Sequence, residues 1–121
     1  MTPPWSLYFS DGSGNGYTFS QDDEQSSVEL RYSPVQPMFS SSGVYSGGDP
    51  QTVALSADKA LRLQELFNRL AQRTELHGST PRPMGTGYFK LAQPTSNLEF
   101  VLYHSPELKT FDTFAQRCRE G

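Results

Sequence analysis

The strongest hydrophobic periodicity in the chain lies between Leu55 and His77. At about 100° per residue, Ala60, Leu63, Leu66, Phe67, Leu70 and Ala71 fall on one face, with Asp58, Glu65, Asn68 and Gln72 opposite. This pattern predicts one long amphipathic helix. Ser56 is suited to the N-cap, where its hydroxyl can accept from a first-turn N–H that has no intrahelical partner. Asp58 lies at the end where the helix dipole favours negative charge, and Arg69, Arg73 and His77 lie toward the opposite end. Gly78 can take the left-handed conformation that ends helices, and Glu65 and Arg69 are spaced as an i,i+4 pair. Leu61 and Leu76 depart from the stripe and are available to another element or a partner.

The remaining patterns have a period of two. Trp5 to Ser10 is an aromatic-rich strand, Asp11-Gly-Ser-Gly-Asn-Gly16 is hairpin-turn chemistry, and Tyr17 to Ser20 is the return strand. A polar loop over Gln21 to Ser27 follows. Val28, Leu30 and Tyr32 then alternate with Glu29 and Arg31 until Pro34 and Pro37 stop the strand. Phe39 to Pro50 is rich in glycine and serine and reads as a loop or edge, with Val44 and Tyr45 a short strand candidate and Thr52 to Leu55 another. After a proline-rich connection over Gly78 to Pro83, Gly87 to Gln93 and Leu98 to His104 form a second hairpin around Pro94-Thr-Ser-Asn97. Ser105-Pro106-Glu107 opens a second helix, with a capping hydroxyl, proline at the first helical position and an acid in the first turn. Leu108, Phe111, Phe114, Ala115 and Cys118 share its buried face. The order β-β-β-(β)-α-β-β-α predicts an α+β fold: an antiparallel sheet of about five strands with two helices on one face, in one domain spanning 1–121.

Composition narrows the classes. The chain has 121 residues and one cysteine, Cys118, which excludes an intrachain disulfide framework and a multi-cysteine zinc site. A lone cysteine fits a reducing, cytoplasmic setting. No apolar run approaches the roughly 20 residues that span a bilayer, and Met1-Thr-Pro-Pro-Trp5 carries no basic-then-apolar leader, so no membrane partner is expected. A net charge of −3 argues against nucleic acid, whose binding draws on phosphate neutralisation.

Four groups could carry chemistry or recognition. Asp11, Ser13, Asn15, Gly16 and Asp22 match positions of a calcium loop, in which oxygen ligands surround a glycine turn; an ordinary hairpin turn produces the same residues. Ser40 to Gly48 offers closely spaced backbone N–H groups but neither a phosphate-loop ending nor a nucleophile elbow, so it reads as a tight connection or as a recognition loop displaying Tyr45. His77 and His104 are the two histidines. His77 reads as a cation at a helix end, and His104 as a partly buried structural residue sharing the inward parity of Leu102. They do not form a catalytic set with Cys118, whose thiol pKa rises if it is buried in the core. Lys59, Arg62, Arg69 and Arg73 line one flank of the long helix, either as a solvated stripe or as a surface for an acidic partner.

From Ser40 onward the layout resembles the emfourin-type proteinaceous inhibitors of metallopeptidases. The resemblance is carried by Ser46-Gly47-Gly48, the short strand Thr52–Leu55, the leucine-rich helix 56–77, the hairpin 87–104 and the closing helix 106–118. Asp49-Pro50 stand where that family has an aromatic and a small residue, and the hairpin 5–20 has no counterpart in it. The resemblance implies a protein-binding role. The expectation is therefore a small non-enzymatic protein-interaction module, inhibitor-like in character and without a cofactor, that uses Phe39, Val44, Tyr45, Ser46 and Tyr17 to meet another protein. A ligand- or calcium-binding domain using the 11–22 loop is the alternative. Pairing of edge strands between two copies would give a homodimer.

Overall fold

The computed structural model describes residues 2–11, 14–34, 50–74, 77–78 and 86–119. Its strands are β1 (Trp5–Ser10), β2 (Gly16–Gln21), β3 (Glu29–Ser33), β4 (Gln51–Ala54), β5 (His77–Gly78), β6 (Gly87–Ala92) and β7 (Asn97–Leu102). The helices are α1 (Ala57–Gln72) and α2 (Pro106–Arg119). The strands form one sheet in the order β4-β3-β2-β1-β6-β7-β5, and every pairing is antiparallel. This is the α+β class that the hydrophobic pattern predicts. The sheet has seven strands rather than about five, because β4 is a full member and the two residues of β5 add a further edge.

Register explains the core. Tyr32 pairs with Tyr17, Tyr17 with Phe9, Phe9 with Phe89, and Phe89 with Phe100, so a single row of aromatic rings crosses five strands. Neighbouring centroids along this row are 4.9, 5.5, 4.9 and 5.0 Å apart. Side chains alternate between the faces of a strand, so paired positions of equal parity place all five rings on the same face. His77 extends the row by stacking on Phe100 at 4.3 Å, and the Arg119 guanidinium lies 4.3 Å from the Tyr32 ring at the other end. A second row joins Leu30, Phe19, Leu7 and Leu91, all buried.

Both helices close over that face. From α1, Phe67 meets Phe89 and Phe100; from α2, Phe111 meets Phe9 and Phe89 edge-on. Leu63, Leu66, Phe67 and Leu70 of α1 and Leu108, Phe111, Ala115 and Cys118 of α2 are buried, as the two stripes require. Gly87 allows α2 to pack this low: a Cβ there would lie 2.5 Å from Leu108 Cδ1 and 3.2 Å from the rings of Phe89 and Phe9.

The helix starts match the sequence signals. Ser56 Oγ accepts from Lys59 N at 3.2 Å, and Ser105 Oγ accepts from Leu108 N at 3.2 Å. The end of α1 does not. The helix stops at Gln72 with Arg73 as its C-cap, short of His77, and His77 and Gly78 pair with Leu102 and Val101 instead. His77 nevertheless serves the helix end from outside it. Its Nε2 lies 3.0 Å from Leu70 O, and because a carbonyl can only accept, the ring is the donor. His104 lies beyond the end of β7 and is exposed, which corrects its expected partial burial.

Candidate binding site

The two helices run antiparallel. Arg73 at the end of α1 bonds Glu107 in the first turn of α2 at 2.9 Å, while Arg62, early in α1, shares a groove with Arg117, late in α2. This groove follows the outer seam between the helices and has a volume of about 470 Å³. Leu66 and Phe114 supply apolar surface in it, and Pro106 closes one end. Around them stand Arg62 on one bank and Lys109, Thr110, Thr113 and Arg117 on the other. Among the described residues three cations and no carboxylate line the groove, on a chain whose net charge is −3. Glu65 reaches Arg62 from outside at 3.5 Å, with both side chains about half exposed. An ion pair of this kind contributes little to stability and yields readily to a competing carboxylate.

The geometry follows from helix periodicity. Leu66 and Phe114 lie at the outer margins of their buried stripes, so they reach the seam without leaving the core side altogether. Lys109, Thr113 and Arg117 are spaced i, i+4 and i+8 and form one ridge. Thr110 turns its hydroxyl back to Pro106 O at 2.9 Å, within its own helix.

The residues expected to form a site are distributed differently. Tyr17 is a correction: it is 1 % exposed and belongs to the aromatic row, so its ring is not available to a partner. Phe39, Val44, Tyr45 and Ser46 lie outside the described residues. The calcium set is also corrected. Ser10 pairs with Gly16 and Trp5 with Gln21, which puts Asp11 and Asp22 at opposite ends of the first hairpin. At about 3.3 Å per residue, the six-residue strand between them separates the two carboxylates by far more than one ion can bridge. Asp11 is committed locally, its Oδ1 accepting from Asn15 N at 2.9 Å and its Oδ2 from Asn15 Nδ2 at 3.0 Å. Asp22 is exposed, and Ser13 lies outside the described residues. Among the described residues no group of three or more His, Cys, Asp or Glu side chains is placed to hold a metal ion.

A buried polar cluster includes Asp11, just beyond β1, and Asp112 of α2. Asp11 is 7 % exposed, and Asp112 Oδ1 is buried without a hydrogen-bond partner. Burial first, and the Asp11 carboxylate second, raise the Asp112 pKa above the ordinary carboxylate value, while a hydrogen bond with Gln116 acts in the other direction. Burial and the charge of Asp11 also push the Tyr17 phenol up, so it stays neutral. Cys118 is buried, and its thiol is pushed up to about 11 by burial, which keeps it protonated.

Of the basic stripe read on α1, Arg62 faces the groove and Arg73 is paired with Glu107. Sequence reasoning did not identify Leu66, Lys109, Thr113, Phe114 and Arg117 as a site. The i, i+4, i+8 spacing of Lys109, Thr113 and Arg117 was visible, but it becomes a bank only once α2 is placed antiparallel to α1.

No family model, curated protein or solved structure matches the chain. Among the described residues no helix is long and apolar enough to cross a membrane.

Proposed function

We propose that this chain is a non-enzymatic protein-interaction module whose binding face is the seam between α1 and α2. The observation that carries the reading is the groove itself: about 470 Å³ with Leu66 and Phe114 inside a rim of Arg62, Lys109 and Arg117. An apolar centre within a polar, arginine-bearing rim is the usual anatomy of a protein-binding surface. The dispositions of the reactive side chains support the same reading. The Cys118 thiol is buried, His77 is engaged with Leu70 O and the Phe100 ring, and His104 is exposed beyond the end of its strand. The order of elements, which resembles that of emfourin-type inhibitors, supports a role exerted by binding.

Site-specific photo-crosslinking in host cells tests this. A benzoylphenylalanine at Thr113 within the groove is expected to give a discrete adduct with a second protein. The same group at Arg31, exposed on the opposite face of the sheet, is expected to give none. Equal labelling from both positions, or labelling from Arg31 alone, would remove the groove from the account.

A further inference from the structure

The identity of the partner can be taken one step further, on the basis that the groove is a protein-binding face. We propose that the groove accepts an acidic amphipathic helix, one that presents two carboxylates about two turns apart with apolar side chains between them. Lys109 and Arg117 stand on the same bank eight residues apart, a separation of about 12 Å along the axis of α2. A helix laid beside α2 offers acids at that spacing from its own i and i+7 or i+8 positions. Its intervening i+3 and i+4 side chains then point at Leu66 and Phe114, and Arg62 faces it from the other bank.

The walls select a helix over a strand. Both are surfaces of α-helices whose mid-helix backbone groups are bonded internally, so an extended segment would find no ladder partner for its N–H and C=O groups. A helix satisfies its own backbone and packs ridges into the seam. Charge selects the acid: among the described residues the lining carries three cations and no carboxylate. It also disfavours a polynucleotide, because the chain as a whole is negative and three contacts neutralise few phosphates.

The test is fluorescence anisotropy with a labelled, alanine-based helical peptide carrying two glutamates eight residues apart and leucines between them on the same face. The comparison probes are the same peptide with lysines for glutamates, one with the glutamates moved to the face opposite the leucines, and a single-stranded oligonucleotide. The acidic amphipathic peptide is expected to bind the whole chain, and the other three to bind at least about tenfold more weakly. Lys109→Glu with Arg117→Glu should weaken the acidic peptide by about tenfold or more and improve the lysine peptide. Both residues are exposed, so the variant should keep the circular dichroism of the parent; Lys109→Gln with Arg117→Gln, expected to give a smaller loss in the same direction, serves as a second variant. Tighter binding of the oligonucleotide, equal binding of the peptide with displaced glutamates, or indifference to the charge changes would overturn the inference. If the acidic peptide fails while the Thr113 photo-adduct persists, the acidic helix is wrong and the interaction module stands. Loss of both removes both.

Discussion

Phe9 and Phe89, from adjacent strands β1 and β6, stack 4.9 Å apart at the centre of the sheet, and Phe111 of α2 meets both rings edge-on at 5.0 and 5.1 Å. Phe111 is thus a central contact between α2 and the sheet, and it is fully buried. Phe111→Ala removes a ring at the convergence of three aromatic contacts and is expected to cost about 3–5 kcal/mol, a cavity-forming loss. Urea denaturation measures it. A cost below about 1 kcal/mol would mean that the core does not converge on this ring.

Gly87 makes a second prediction about the same packing. Gly87→Ala places a methyl group against Leu108, Phe9 and Phe89, three buried side chains. Overpacking should destabilise the fold by about 1–3 kcal/mol. Combining Gly87→Ala with Leu108→Ala should recover part of the loss, which a double-mutant cycle in urea would show as coupling.

Asp112 gives the pH dependence. Its folded-state pKa is raised, so the favourable contribution of its protonated form is fully present below the unfolded-state value and is lost as pH rises through the folded-state value. At neutral pH the carboxylate therefore opposes folding. Asp112→Asn is expected to raise Tm at pH 7, with the gain shrinking as the pH approaches the carboxylate range. Thermal melts across pH 4 to 8 check this, and a variant less stable than the parent at pH 7 would contradict it.

Much of the core was legible in the chain because strand alternation and the 3.6-residue period leave direct traces. Tyr17 shows how a local reading can miss a signal that is present. Beside a glycine turn it resembles a displayed anchor, yet its parity with Phe19 already placed it on the inner face. The Asp11 to Asp22 spacing matched a calcium loop in residue number alone; a hairpin spends that length on an extended strand, whereas a calcium loop coils it around an ion. The end of α1 was not legible, since His77 and Gly78 are drawn off by pairing with β7, a contact made across the chain rather than along it. The groove was hidden for the same reason: each bank is an ordinary helix surface, and only the antiparallel crossing sets Arg62 opposite Arg117.

Arg73 and Glu107 bridge the helix ends at 2.9 Å, but both side chains remain substantially exposed. A double-mutant cycle on Arg73→Ala and Glu107→Ala should give a coupling of at most about 1 kcal/mol that shrinks with added salt. A salt-insensitive coupling of several kcal/mol would show that the pair, rather than Phe67 and Phe111, positions the two helices.

On the reading proposed above, the seam between α1 and α2 is the surface this chain uses. Titrating the isotope-labelled chain with the acidic amphipathic peptide while following backbone amide shifts tests it most directly. The shifts are expected to cluster at Arg62, Leu66 and the Lys109 to Arg117 segment, leaving the sheet face around Tyr8 and Tyr88 unchanged. Shifts centred on Tyr8 and Tyr88, or none at saturating peptide, would contradict it.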